Sequence, residues 1–145
     1  MGTAYNKLYL DDTNFLSEDL FQTIAKKNVD FQKFVAEYLN SNCRWQIDRG
    51  NSRYMNMTTD EFMAYLAKEV ELKPGTPDID YLEAGWIGIV YNLLQFYTGM
   101  PSKEIYKKID YSRMKFLFGP LHTVDYEVAV NKIIKGHELN VVLKE

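Results

Sequence analysis

The sequence has little cysteine, no long apolar run and no strong excess of basic charge. Cys43 is the single cysteine among 145 residues, which excludes an internal disulfide and therefore a disulfide-stabilised secreted scaffold. The most apolar stretch, residues 84–94, is well short of the ~20 residues that span a bilayer. The first residues also lack the apolar core of a signal peptide. These absences predict a cytoplasmic protein that does not engage a membrane.

The charge balance disfavours a nucleic-acid partner. The net charge is -3, whereas proteins that bind nucleic acid in bulk need a strong basic field. Residues 101–145 nevertheless carry 8 Lys and Arg against 6 Asp and Glu. A local basic surface therefore remains compatible with the composition.

Apolar residues recur at helical rather than alternating spacing along most of the chain. No hairpin signal separates alternating runs, and no repeat of 20–50 residues is visible. The pattern predicts an all-α fold, with residues 1–145 forming one helical domain as a compact bundle of about seven helices. Residues 43–54 give no clear helical pattern, with a turn or loop at 48–52. The only cluster of Pro and Gly, at 73–77, is a possible point of sub-division.

The most informative segment is residues 79–97, which is apolar around most of a helical circumference and therefore predicts a central helix. Asp78 is the expected N-cap, and Gly99 with Pro101 the expected stop. Gly85 and Gly88 share one face, which predicts a close crossing with another helix, since glycine inside a helix costs about 1 kcal/mol relative to Ala.

Two further helix boundaries can be predicted from the sequence. Thr58 and Glu61 have the spacing of a capping box. A helix from Tyr111 is expected to end at Phe118, before Gly119 and Pro120, and Thr123 is the expected cap of the last helix.

The sequence contains no constellation typical of an enzyme. His122 and His137 are the only imidazoles, and with Cys43 they match no standard zinc spacing. No residue near Cys43 marks it as an activated nucleophile, and no glycine-rich phosphate loop is present. The sequence therefore predicts no catalytic, cofactor-binding or metal-binding residues. For His122, the simplest expectation is a hydrogen bond to neighbouring backbone.

The aromatic content, 14% of the chain with 11 Tyr, favours a surface that contacts another protein, because Tyr and Trp are enriched at interfaces. The residues predicted to bind a partner are spread along the chain: Trp45, Tyr54, Tyr106, Lys107, Arg113 and His122. An alternative involves residues 102–115, where five basic residues lie on two short predicted helices that could imitate a helix-turn-helix DNA reader.

Residues 84–138 contain an apolar helix beginning near Trp86, then Ser102-Lys103-Glu104-Ile105-Tyr106, an aromatic segment ending Phe116-Leu117-Phe118, and Leu121-His122-Thr123 before a final helix. This order resembles small bacterial all-helical domains of unknown function that share a Leu-His-Thr turn and are often encoded beside toxin-like genes. Gly119 and Pro120 depart from that pattern.

The resemblance implies an antitoxin-like or immunity-like role, and no catalytic residue. The expected function is a non-catalytic protein-interaction module that binds and neutralises a protein partner, such as a toxin or a defence enzyme. There are two alternatives: a phage-encoded inhibitor of a bacterial defence system, and a DNA-binding regulator using residues 102–115.

Overall fold

The computed structural model describes residues 3–136, which form an all-helical structure with no extended strand. One turn of 3-10 helix at Lys7–Tyr9 precedes nine α-helices within these residues. The helices are α1 (Leu10–Ala25), α2 (Phe31–Leu39), α3 (Asn42–Asp48), α4 (Ser52–Met55), α5 (Thr59–Leu66), α6 (Tyr81–Thr98), α7 (Ser102–Lys108), α8 (Tyr111–Leu121) and α9 (Tyr126–Lys135).

The expected number of about seven helices is too low for this part of the chain. The difference is α3 and α4, which form where the sequence showed no clear pattern. Ser41 accepts a hydrogen bond from Arg44 N, and Asn51 accepts one from Arg53 N, so side-chain caps start both short helices. Only the turn between them, around Gly50, is non-helical, and Gly50 has a positive φ of 79°.

Helix α6 is buried along most of its length, from Ala84 to Phe96. It packs against α1, α7, α8 and α9. It begins at Tyr81, two residues later than expected, because Asp80 rather than Asp78 accepts the capping hydrogen bond from Glu83 N. The Asp78 carboxylate instead accepts hydrogen bonds from the Tyr111 hydroxyl at 2.8 Å and from Lys115 Nζ at 3.2 Å. Gly99 ends the helix with a left-handed φ of 71°, as predicted.

The glycine pair marks the crossing between α1 and α6, as the sequence predicted. A Cβ atom on Gly88 would lie 2.7 Å from the carbonyl oxygen of Ser17, and one on Gly85 would lie 2.6 Å from Gln22 Nε2. Asn92, one turn further along, donates hydrogen bonds to Thr13 Oγ1 at 3.0 Å and to Asn14 Oδ1 at 2.7 Å. At one end of the crossing, the glycines allow a close approach because they lack side chains. At the other end, the hydrogen bonds of Asn92 hold the helices together, so the two features set the distance between α1 and α6.

Other boundaries agree with the sequence in part. The capping box of Thr58 and Glu61 is present and starts α5. Helix α8, however, continues through Pro120 to Leu121. Gly119, the residue before the proline, lacks the Cβ that would clash with the Pro120 ring, which makes this continuation easier. The last helix follows Asp125, so Thr123 is not its cap.

The segment at 73–77 is hydrogen-bonded back onto the start of α2. Asp30 N donates to Lys73 O at 2.8 Å, Gly75 N donates to Asn28 O at 3.2 Å, and Val29 and Pro74 form an isolated bridge. The hydrophobic core contains buried residues from both sides of this segment. In residues 3–136, no helix is both long and apolar enough to cross a membrane.

Candidate functional site

A cavity of about 420 Å³ opens between the end of α2, the start of α3 and the start of α7. We call it the Trp45 cavity. Its lining combines apolar surface with amide, hydroxyl, carboxylate and ammonium groups, which is the mixture expected of a binding site. The lining residues are Leu39, Asn40, Ser41, Asn42, Trp45, Asp48, Pro101 and Lys103.

The first turn of α3 is held in place from two directions. Ser41 Oγ accepts from Arg44 N at 3.1 Å. The Glu69 carboxylate, from the turn after α5, accepts from Asn42 N at 2.6 Å and from Cys43 N at 2.9 Å. Burial acts to raise the pKa of Glu69, but hydrogen bonds from the Cys43 thiol and from these two amides outweigh it and lower the pKa. The amides at the start of α3 are thus already occupied by a charged partner.

A buried polar network lies behind the cavity and joins α3 to α7. Arg44, 1% exposed, donates from Nε to Asp48 Oδ1 and to Ser102 Oγ, both at 2.9 Å. Asp48 in turn accepts from Ser102 N at 2.7 Å and from Ser102 Oγ at 2.8 Å. Burial acts to lower the pKa of Arg44, but the neighbouring Tyr38 and Asp48 raise it overall. The Arg44 guanidinium therefore stays charged, and its network with Asp48 and Ser102 connects the two helices that form the cavity walls.

Trp45 and Lys103 provide the accessible walls. Trp45 is 44% exposed although it belongs to a short helix otherwise anchored in the core. Lys103 is exposed and has no ion-pair partner within residues 3–136. A large, partly exposed aromatic surface thus adjoins a solvent-exposed positive charge.

Tyr54 and Tyr106 do not line this cavity. The Tyr54 ring lies 6.0 Å from that of Tyr65, whose hydroxyl accepts a hydrogen bond from Arg53 Nη2 at 3.1 Å. The Tyr106 ring is half-buried and lies 6.3 Å from that of Tyr91. The structure therefore places these two predicted residues in separate aromatic clusters.

The basic residues of α7 and α8 are partly engaged within the chain. Lys107 pairs with Glu104 at 3.2 Å. Lys115 pairs with Asp78 at 3.2 Å, and the Arg113 guanidinium lies 4.9 Å from the Phe116 ring centre. Ile109, between the two helices, is fully buried. The segment is thus a packed helix pair with several of its charges already satisfied.

His122 has the structural role expected for it. Its Nδ1 lies 2.8 Å from Phe118 O and 3.0 Å from Gly119 O, so Nδ1 carries the proton and donates to these carbonyls at the end of α8. Its ring stacks on Phe118 with the ring centres 4.3 Å apart, and the Phe118 and Trp86 rings form a T-shaped contact with their centres 5.4 Å apart. His122 lies outside the lining of the Trp45 cavity, and His137 lies outside the described residues.

Cys43 is buried against the core. Desolvation, with a further contribution from the nearby Glu69 carboxylate, raises its pKa to about 12. The thiol is therefore protonated at neutral pH and a poor nucleophile. Across the described part of the chain, no three His, Cys, Asp or Glu side chains are grouped so as to hold a metal ion.

Trp45 was a candidate contact residue on sequence grounds, but the cavity that it lines was not predicted. The Arg44–Asp48 pair was missed, although its i, i+4 spacing is a local signal for an ion pair on a helix. Nothing local indicates that this pair is buried or that it meets Ser102, 54 residues further along the chain.

Comparison with known proteins identifies no relative of the chain. No family model, curated protein or solved structure matches the chain. Inference about function therefore depends on the side chains of the Trp45 cavity and their surroundings.

Proposed function

We propose that this chain is a non-catalytic protein-interaction module that binds its partner through the Trp45 cavity. The observation that carries the proposal is a tryptophan 44% exposed on the wall of a cavity of about 420 Å³. Tryptophan is among the residues most enriched at the energetic centres of interfaces, where an anchor packs into a pocket. An antitoxin-like or immunity-like protein needs such a surface and no catalytic group.

The rigidity of the cavity supports this proposal. Trp45 lies on α3, whose first turn is held by Glu69 and whose last residue, Asp48, is bonded to the start of α7. A site that is fixed before binding loses little conformational entropy when the partner docks. Trp45 can therefore contribute to affinity without first being ordered.

The chemistry of the described residues gives less support to an enzyme. Cys43 is buried and protonated, and the Asp48 carboxylate is occupied by Arg44 and Ser102. Neither is poised as a nucleophile or a general base, because each would first have to lose its structural partners.

A DNA-binding regulator using residues 102–115 is also less favoured. Lys107 and Lys115 have acidic partners within the chain, and the total charge is -3. A phage-encoded inhibitor of a bacterial defence system would use the same kind of surface as an antitoxin. Only the identity of the bound protein distinguishes those two roles.

Photo-crosslinking tests the proposal. A photoreactive benzoylphenylalanine replaces Trp45 in one variant and Phe116, which is 65% exposed on α8, in a matched control. We expect one protein to cross-link at position 45 and not at 116. The captured protein is then purified and titrated by calorimetry against the wild type, Trp45→Ala and Phe116→Ala.

Loss of a central anchor costs about 2 kcal/mol or more, so Trp45→Ala should weaken binding by roughly 30-fold or more. Phe116→Ala should leave the affinity within about two-fold of the wild type. Equal weakening by both variants, or cross-linking only at position 116, would show that the partner does not use this cavity. If the partner is a toxin, Trp45→Ala should also fail to protect cells that co-express it.

A further inference from the structure

The charge of the Trp45 cavity indicates what kind of segment fits it, provided that the proposed function holds. Asp48 is the only carboxylate in the lining. Its two oxygens accept hydrogen bonds from Arg44 Nε, Ser102 N and Ser102 Oγ, all within 2.9 Å. Its side chain is 4% exposed, so little of its negative charge faces an incoming ligand.

The positive charge of the cavity, by contrast, is available. Lys103 is exposed on the wall, and Lys107 lies one helical turn further along the same face of α7. Lys108, the last residue of the helix, is also exposed. The acid on α7 is Glu104, whose contact with Lys107 is solvent-exposed at 3.2 Å. An exposed pair of this kind contributes little to stability, so a partner carboxylate can displace it.

The dimensions of the cavity fit a peptide segment better than a folded surface. A volume of about 420 Å³ lies in the lower part of the range for ligand pockets and leaves room for only a few side chains. Trp45 and Pro101 offer apolar contact next to the ammonium group of Lys103. A segment that combines an apolar side chain with a neighbouring acid would match both features.

We propose that the Trp45 cavity binds an acidic segment of the partner protein. An apolar side chain of that segment packs against Trp45, and an adjacent Asp or Glu pairs with Lys103. A further acidic residue of the segment lies at Lys107, on the same face of α7. The partner is thus recognised by a short acidic stretch with an apolar anchor.

Peptide selection followed by titration tests this proposal. A phage-displayed library of random 12-residue peptides is selected against the wild-type chain and, in parallel, against Trp45→Ala. The most enriched peptide without tryptophan is synthesised and titrated in a Trp86→Phe background, in which Trp45 is the only fluorophore of its kind. Calorimetry with the unmodified chain confirms the affinity, in case Trp86→Phe perturbs the packing on Phe118.

We expect Asp and Glu to be enriched beside one apolar residue, and the Trp45 emission to shift to shorter wavelength on binding. Lys103→Glu should weaken binding at least ten-fold, and the affinity should fall as salt is raised. Lys27→Glu, an exposed lysine in the turn after α1, should change the affinity by less than two-fold.

The possible failures separate this inference from the proposed function. Peptides that depend on Trp45 but show no acidic enrichment would overturn the acidic segment and leave the interaction module in place. Selection of no Trp45-dependent peptide would also overturn the acidic segment, and the cross-linking result would then decide the interaction module. Tight, salt-sensitive binding of a random-sequence DNA duplex through Lys103, without peptide binding, would overturn both.

Discussion

Replacing Gly88 and Gly85 separately by alanine tests the helix crossing at the centre of the fold. Both glycines lie in α6, and alanine favours a helix interior by about 1 kcal/mol over glycine at either position. The new Cβ meets different neighbours. At position 88 it would lie 2.7 Å from the Ser17 carbonyl oxygen and 3.0 Å from Phe21 Cγ. At position 85 it would lie 2.6 Å from Gln22 Nε2.

The two obstacles differ in their ability to move. The Ser17 carbonyl belongs to the backbone of α1, so relieving the clash requires the two helices to separate. The Gln22 amide is the end of a flexible side chain whose hydrogen bond to Tyr81 O is long, at 3.4 Å. Overpacking of a core typically costs about 1–3 kcal/mol. Because the obstacle at position 88 is backbone, we take the upper end of this range, and after the gain of about 1 kcal/mol in helix propensity Gly88→Ala should lose about 2 kcal/mol net. Gly85→Ala should be neutral or up to about 1 kcal/mol more stable.

Urea unfolding and thermal unfolding, both followed by far-ultraviolet circular dichroism, measure the difference. A gap of about 2–3 kcal/mol between the two variants should separate their melting temperatures by several degrees, at roughly 3 °C per kcal/mol for a chain of this size. The native spectra should stay helical in both, which shows that the same fold is being compared. If Gly88→Ala proves as stable as Gly85→Ala, the close crossing described here is wrong.

Three further predictions concern the surroundings of the cavity. Arg44→Met leaves the Asp48 carboxylate buried without its cation and should lower the free energy of unfolding, measured in urea, by about 3–5 kcal/mol. The double variant with Asp48→Leu should lose less than the sum of the two single changes, and additive losses would contradict a coupled pair. The Glu69 pKa is lowered in the folded state, so its contribution to stability is present above the unfolded-state pKa of about 4.3 and is lost as the pH falls through the lower folded value. Glu69→Gln should therefore flatten the loss of stability below about pH 4.5, and an unchanged pH profile would refute the capping role. With a pKa of about 12 and a buried side chain, Cys43 should react with a thiol reagent at pH 8 only as fast as the chain unfolds; immediate labelling of the native protein would contradict its burial.

The features that could be predicted from the sequence are those with a local physical signature. Helical spacing of apolar residues located α6, and its glycines correctly indicated a close crossing, since a close approach of another helix can offset the cost of glycine inside a helix. The capping box at Thr58 was also readable, because both of its partners lie within four residues.

The predicted start of α6 was wrong, because tertiary contacts decide which residue caps the helix. Asp78 and Asp80 are both good caps by residue type, and the choice between them depends on Tyr111 and Lys115, which engage Asp78 from α8. The local sequence around residues 78–80 therefore gives no signal of which aspartate caps the helix.

The Trp45 cavity could not be predicted from the sequence for a similar reason. Its lining comes from residues 39–48 and 101–103, which share no repeat or motif. Trp45 could be named as a candidate contact residue from its type alone. The sequence does not show that Tyr54 and Tyr106 lie apart from Trp45, or that Lys103 lies beside it. These positions depend on how α3 and α7 pack.

The carboxylates of Glu69 and Asp48 have a consequence for the order in which the protein unfolds. Helices α3 and α7 contain seven residues each, far fewer than the ~12–15 that an isolated helix needs to persist in water. Each starts against an acid from a neighbouring element, Glu69 for α3 and Asp48 for α7. Neither helix can persist once its neighbour is lost, so their amide hydrogens should exchange with solvent together, in a single opening event that also dismantles the cavity between them.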